Sequence, residues 1–64
     1  MFRVNGTPHD LDVMTVLALL QRLGVQQRGI AVAINGEIVR RSEWDDVVID
    51  SGDDVEIVTA AAGG

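Results

Sequence analysis

Apolar and polar residues follow two different periods along this chain, and the changes of period predict its elements. The first segment, FRVN, alternates with the period of a strand and ends at Asn5-Gly6, a dipeptide that strongly favours a two-residue hairpin turn. We therefore predict strands at residues 2–5 and about 8–13. Pro8 has no N–H to donate to a sheet, so the second strand should lie at an edge or begin at this proline.

The next segment, TVLALLQRLG, has the period of a helix. Its apolar residues recur at positions i, i+3, i+4 and i+7 and form one face: Val16, Leu19, Leu20 and Leu23. The pattern predicts a helix over residues 16–23 with this face in the core. Thr15 is placed to cap its N-terminus, and Gly24 occupies the position where a left-handed residue ends a helix.

The second half of the chain returns to the period of strands. GIAVAIN alternates β-branched residues with alanines and predicts a strand at 30–34, followed by a second hairpin turn at Asn35-Gly36 and a short strand in EIVR. RSEWDD indicates a surface turn and VVI a brief extended segment. After the turn signal DSGDD, the segment VEIVT predicts a final strand at 55–59.

The order of elements is hairpin, helix, hairpin and final strand. One helix for four to five strands predicts an α+β fold in which the helix packs on one face of a mixed sheet. This is the arrangement of the β-grasp, or ubiquitin-like, fold. We expect residues 1–59 to form this domain and residues 60–64 to be a flexible C-terminal tail that ends in Gly-Gly.

Size and charge narrow the classes of function. A chain of 64 residues without cysteine is one domain with neither disulfides nor zinc-thiolate sites, and it is too small to enclose a deep active site. The net charge of −5 argues against nucleic-acid binding. No signal peptide or apolar span of ~20 residues is visible, so we expect a cytoplasmic protein that does not bind membranes. All five cations are arginines, which excludes lysine-dependent chemistry on this chain.

One group of possible metal ligands occurs near the N-terminus. His9, Asp10 and Asp12 have suitable side chains, but no fourth ligand is evident. Alternation along a strand would also place His9 and Asp10 on opposite faces. We interpret these residues as part of a solvated edge strand and predict no metal site.

An acidic cluster surrounds the single tryptophan. Glu43, Asp45 and Asp46 would need a substrate cleft to act as catalytic carboxylates, and so short a chain cannot build one. We interpret them as a solvated turn, with a docking patch for a basic partner as the alternative. Trp44 is either a core residue, the interpretation we favour, or an interface anchor.

The last residues are the strongest candidates for function. Glycine has no Cβ, so Gly63 and Gly64 can enter an enclosed site closely, and the preceding alanines keep the segment narrow. Fully extended, five residues reach about 16–18 Å. We predict that Gly64 presents a reactive carboxylate and that the segment is recognised by a partner. The recognised residues are Ala60, Ala61, Ala62 and Gly63, with Val58 and Thr59 as possible partner contacts.

Several motifs together resemble the ThiS family, the sulfur-carrier proteins of thiamine thiazole biosynthesis. The similar segments are VNG, TV..LL..LG, GIAVAINGEIV.RSEW, GD.VEIVTA and the final GG, and they cover essentially the whole chain. The most specific are NGEIV.RSEW and Gly-Gly. The chain departs from the family pattern at Arg40, where many relatives have proline, and in the three alanines before Gly-Gly, where larger side chains are common.

The resemblance implies a specific reaction sequence. A ThiF-type enzyme would use ATP to adenylate the Gly64 carboxylate, and a sulfur donor such as a cysteine-desulfurase-derived persulfide would convert it to a thiocarboxylate. A ThiG-type thiazole synthase would then take the sulfur. The chain itself would be no enzyme, would bind no cofactor and would be a monomer when free.

Other functions fit the same fold. The small subunit of molybdopterin synthase also ends in Gly-Gly, although those chains are usually longer and lack RSEW at this place. A ubiquitin-like modifier would join Gly64 to lysines of target proteins. A plain β-grasp interaction module would not need its tail, so deleting Gly64 would separate it from the other three.

Overall fold

The alternating segments form the strands of a mixed sheet in the computed structural model, which describes residues 1–59. In chain order the elements are β1 (Phe2–Val4), β2 (Thr7–His9), β3 (Met14–Thr15), α1 (Val16–Leu23), β4 (Ile30–Ile34), β5 (Glu37–Val39), a 3-10 turn (Arg41–Glu43), β6 (Val48–Ile49) and β7 (Asp54–Thr59). The five-stranded sheet has the order β2-β1-β7-β4-β5, and β1 is parallel to β7 while the other neighbours are antiparallel. The predicted β-grasp fold is confirmed.

Both predicted hairpin turns are present. Asn5 and Gly6 have φ angles of 50° and 82°, and Asn35 and Gly36 have φ angles of 51° and 85°. Two consecutive residues with positive φ form the turn that matches the twist of paired strands. Because Asn5 belongs to the turn, the first strand ends at Val4, one residue earlier than predicted.

The prediction for the second strand, residues 8–13, is wrong in length. β2 covers only Thr7–His9, because its sole neighbour β1 has three residues and offers nothing for residues 10–13 to pair with. Pro8 does lie on an edge strand, as expected. The chain then forms the separate strand β3, which pairs with β6 and was not predicted from sequence.

The predicted helix and both of its caps are confirmed. The Thr15 side chain accepts a hydrogen bond from the Ala18 N–H at 3.1 Å. At the other end, Gly24 has φ 69° and donates to the Gln21 carbonyl, while Val25 N–H donates to the Leu20 carbonyl. This pair of bonds is a Schellman motif, which satisfies the carbonyls of the last turn.

Leu23 does not belong to the core as the helical period predicted. Its side chain is 37% exposed, whereas Leu19 and Leu20 are fully buried. The reversal of the chain at Gly24 brings Val25 against the core instead. The helix therefore buries a shorter face than its sequence indicates.

The core lies between α1 and one face of the sheet. It contains residues from every part of the chain: Phe2, Val4, Val16, Leu19, Leu20, Val32, Val39, Trp44, Ile49 and Val55. The small β3–β6 sheet contributes Ile49 to this core and packs Met14 against it. Beside it, the Val16 N–H donates to the Val47 carbonyl at 3.0 Å. Within residues 1–59, no helix has the length and apolar character needed to cross a membrane.

Candidate functional site

The central strand of the sheet leads directly to the predicted tail. β7 is the third of five strands, and its last residue, Thr59, lies opposite Ile30 at the start of β4. The predicted site residues Ala60, Ala61, Ala62, Gly63 and Gly64 lie outside the described residues. The two predicted partner contacts, Val58 and Thr59, are exposed at the end of β7.

The two asparagines of the hairpin turns hold β7 from opposite sides. The Asn5 side chain accepts from the Ile57 N–H at 2.8 Å and donates to the Ile57 carbonyl at 3.1 Å. The Asn35 side chain accepts from the Asp54 N–H at 3.0 Å and donates to an Asp53 carboxylate oxygen at 3.0 Å. β7, which directly precedes the predicted tail, is therefore held at its first residue and at Ile57.

An ion pair on the exposed sheet surface also joins β1 to β7. Arg3 donates to both carboxylate oxygens of Asp54, from Nε at 2.7 Å and from Nη2 at 2.8 Å. The hydrogen bond from Arg3 lowers the pKa of the Asp54 carboxyl, and the same bond raises the pKa of Arg3. This is the one ion pair among residues 1–59.

The face of the sheet away from α1 carries an apolar surface that the sequence interpretation did not include in the site. Val58 lies opposite Ala31, and Ile38 lies opposite Ala33. Ile38 is 71% exposed and Val58 is 54% exposed. We call these four residues the open-face patch.

The small alanines give the open-face patch its shape. Between the larger side chains of Ile38 and Val58 they leave a shallow groove of about 220 Å³, and Glu56, Gly36 and Val32 complete its lining. The alternation of alanines with branched residues in GIAVAIN was the signal for this surface. The sequence alone did not show that the alanine face stays uncovered.

The possible metal ligands are not brought together. His9 is half-buried on the edge strand opposite Phe2, whereas Asp10 and Asp12 lie in the exposed loop that follows. The expected opposite orientation of His9 and Asp10 along one strand does not apply, because the strand ends at His9. Among residues 1–59, no three histidine, aspartate or glutamate side chains are placed to bind a common ion.

The acidic cluster around the tryptophan is a surface turn with a buried centre. Glu43, Asp45 and Asp46 are exposed, but Trp44 is only 4% exposed. Its Nε1–H donates to the Val39 carbonyl at 3.2 Å. Trp44 is thus a core residue, which confirms the interpretation favoured from sequence.

Comparisons with known proteins agree on one family. Residues 2–64 match the ThiS family. The sulfur carrier protein ThiS of Thermus thermophilus is 36% identical over the full length of both chains. The structure of the thiamine biosynthesis protein ThiS from Geobacter metallireducens superposes with a TM-score of 0.84 at 33% identity, and the match covers 98% of this chain and 97% of that one.

A longer relative contains a similar segment. The thiazole synthase of Paramagnetospirillum magneticum is 44% identical over 62 residues, which are 95% of this chain but only 19% of that protein. The chain thus spans about a fifth of this relative and the whole of the Thermus protein. On the evidence of the family match, the full-length relative and the shared fold, this chain belongs to the ThiS family.

Proposed function

We propose that this chain is a sulfur carrier of thiamine thiazole biosynthesis and that the Gly64 carboxylate carries the sulfur. The observation that supports this most strongly is the continuity between β7, the rigid central strand, and the Gly-Gly segment in a chain of the ThiS family. The relatives that bear the name sulfur carrier protein ThiS support the same role. In this proposal the chain is a substrate of partner enzymes and does not catalyse a reaction.

The chemistry explains why the carrier needs a narrow terminal arm. A carboxylate is a poor electrophile, so a ThiF-type enzyme first joins it to AMP from ATP and releases pyrophosphate. The outer sulfur of a donor such as a cysteine-desulfurase-derived persulfide then displaces AMP and forms an acyl disulfide. A second thiol attacks the donor's own sulfur, which breaks the S–S bond, releases the thiocarboxylate and leaves a disulfide on the donor. The acyl adenylate must be shielded from water, which requires an enclosed site. Gly63 and Gly64 suit such a site because no Cβ obstructs their approach.

We also propose that two parts of the chain have different roles. Residues 1–59 form the folded domain that binds the surface of each enzyme, and residues 60–64 form the arm that enters its active site. Fully extended, five residues reach about 16–18 Å, so the arm can enter an enclosed site while the domain stays outside. The contacts of Asn5 with Ile57 support this proposal because they hold β7 two residues before its end, close to the base of the arm.

The open-face patch is the surface we propose for docking of the partner enzymes. It is apolar and exposed, and Val58 places it two residues from the start of the arm. An exposed apolar surface next to the reactive segment is typical of an interaction site. The thiazole synthase that contains a segment similar to this chain supports thiazole synthase as one of the two partners.

The proposal is tested by following labelled sulfur through a reconstituted system. The chain is incubated with a ThiF-type enzyme, ATP, a labelled sulfur donor and thiazole synthase with its substrates. A sulfur carrier places the label in the small-molecule product, and a variant without Gly64 places none there. Covalent adducts of the chain on other proteins would support a ubiquitin-like modifier instead. If the variant without Gly64 still gave labelled product, the result would support a plain interaction module.

A further inference from the structure

Most of the arginines of this acidic chain have no carboxylate partner among residues 1–59. The ion pair between Arg3 and Asp54 is the only one in this part of the chain, although the sequence contains ten acidic residues. Four exposed arginines therefore present their charge to solvent: Arg22, Arg28, Arg40 and Arg41.

Three of these four arginines lie at the end of the sheet where β7 finishes. Thr59 pairs with Ile30, so Arg28 precedes the partner of Thr59 by two residues. On the other side of β4, Val39 pairs with Val32. The two residues that follow Val39 are Arg40 and Arg41, and they continue in the direction of the start of β4. We call Arg28, Arg40 and Arg41 the exit arginines.

One hydrogen bond joins the two segments that carry the exit arginines. The Arg41 Nη1 donates to the Gln27 carbonyl at 3.4 Å, which links the turn after β5 to the loop before β4. The Arg41 guanidinium also lies 5.5 Å from the centre of the Trp44 ring, within the range of a cation–π interaction. One member of the group is thus held in place by the core tryptophan.

Three carboxylates lie at the opposite end of the sheet. Asp53 and Asp54 lie at the start of β7, and Glu37 begins β5 directly after the Asn35-Gly36 turn. Glu43, the carboxylate nearest to the exit arginines in sequence, lines a groove that runs along β5 from Glu37 to Val39. A chain with a net charge of −5 thus carries three of its five arginines near the end of β7.

We propose that the exit arginines dock on a carboxylate-rich surface around the entrance of the adenylating enzyme's site. This inference rests on the proposed function, since it names the chemistry of the partner surface that receives the tail. Guanidinium groups bind carboxylates with two parallel hydrogen bonds, which orients the carrier as well as attracting it. The rest of the chain is acidic, so repulsion disfavours other orientations of approach.

A protein surface fits these arginines better than the phosphates of ATP. The nucleotide reacts at Gly64, and an extended tail places that residue up to about 16–18 Å beyond Thr59. The exit arginines stay at the base of the tail and cannot reach the reacting phosphorus. They are also exposed on two separate segments, whereas an isolated phosphate is usually held by converging donors.

The test compares two double variants with the same change of net charge. Arg28→Gln with Arg40→Gln removes two exit charges and leaves Arg41 on Trp44. Thr7→Glu with Gln21→Glu makes the same change at exposed positions on β2 and α1. Association with the adenylating enzyme is measured by stopped flow at about 0.05 and about 0.5 M salt, which are roughly three-fold below and above physiological ionic strength. Intact mass reports sulfur transfer to the wild-type chain in parallel.

We expect the exit variant to associate roughly tenfold more slowly at low salt and the control variant less than about threefold more slowly. The difference should shrink to about twofold at high salt. Equal rates for the two variants would overturn the inference. ATP binding by the isolated chain that is lost only in the exit variant would also overturn it, in favour of a phosphate site. Failure of sulfur transfer to the wild-type chain would instead contradict the proposed function, whatever the binding rates.

Discussion

The side-chain amide of Asn5 pairs with both backbone polar groups of Ile57, at 2.8 Å to its N–H and 3.1 Å to its carbonyl. The amide takes the place of a strand residue and extends the β1–β7 pairing beyond Val4, where β1 ends. Ile57 lies two residues before the end of β7. A turn residue therefore stabilises the end of β7 that precedes the predicted tail.

Replacing Asn5 with glycine tests this contact without straining the turn, because glycine accepts the φ angle of 50°. We expect a loss of about 1–2 kcal/mol in the free energy of unfolding, since two hydrogen bonds disappear. Urea unfolding measures the loss, and hydrogen exchange should show faster opening at the Ile57 amide. Asn35→Gly is the matched control, which removes contacts at the start of β7 instead. Equal exchange at Ile57 in the two variants would contradict the assignment.

Acid should weaken the contact between Arg3 and Asp54. The pKa of Asp54 is lowered in the folded chain, so its charged form contributes stability above the pKa of the unfolded state, near 3.8, and loses it as the pH falls through the folded pKa. We expect Asp54→Asn to be less stable than wild type at pH 7 and to converge with it as the pH falls through the folded-state pKa of Asp54. Thermal unfolding from pH 7 to pH 2 checks this. A difference that stays constant with pH would show that the charge of Asp54 does not matter.

Trp44 should be the most sensitive position of the second half of the chain. Trp44→Ala removes a large buried side chain, and we expect a loss of about 3–5 kcal/mol. Trp44→Phe retains much of the packing but leaves the Val39 carbonyl without its donor, so a loss of about 1–3 kcal/mol is expected. Guanidinium unfolding ranks the variants. A phenylalanine variant as stable as wild type would mean that the Nε1–H bond contributes nothing.

The open-face patch should affect binding but not folding. Ile38→Ser shortens a side chain that is 71% exposed, so we expect a change in unfolding free energy within about 0.5 kcal/mol. Affinity for the adenylating enzyme or thiazole synthase should fall by roughly fivefold to thirtyfold, as for an apolar interface contact worth about 1–2 kcal/mol. Val13→Ser, at a 57% exposed position outside the patch, serves as the control for calorimetric titrations. Identical affinities of the two variants for both enzymes would rule out docking through Ile38.

Local signals in the sequence were sufficient for the turns and for the helix. The two Asn-Gly pairs, the cap at Thr15 and the glycine at position 24 each act through neighbouring residues, so their outcome depends little on the rest of the fold. The length of β2 was not predictable in this way, because it is set by the three residues of β1. The exposure of Leu23 was not predictable either, because it depends on how the chain turns after the helix to bring Val25 against the core.

The features of the site that sequence reasoning missed all depend on the register of the sheet. Ala33 and Ile38 are five residues apart, and only their pairing across the β4–β5 hairpin makes them neighbours on the uncovered face. Arg28 and Arg41 likewise lie at one end of the sheet only because β4 pairs with both β5 and β7. A linear pattern records alternation along each strand but not which strands become neighbours.

The central claim is that Gly64 carries the sulfur, and intact-mass measurement tests it most directly. The chain is incubated with ATP, a ThiF-type enzyme and a sulfide source, and a variant without Gly64 is treated in parallel. We predict a mass gain equal to the replacement of one oxygen by one sulfur, located by fragmentation at Gly64 and absent from the variant. An unchanged mass with an enzyme that modifies its own carrier, or a gain located elsewhere in the chain, would contradict the account.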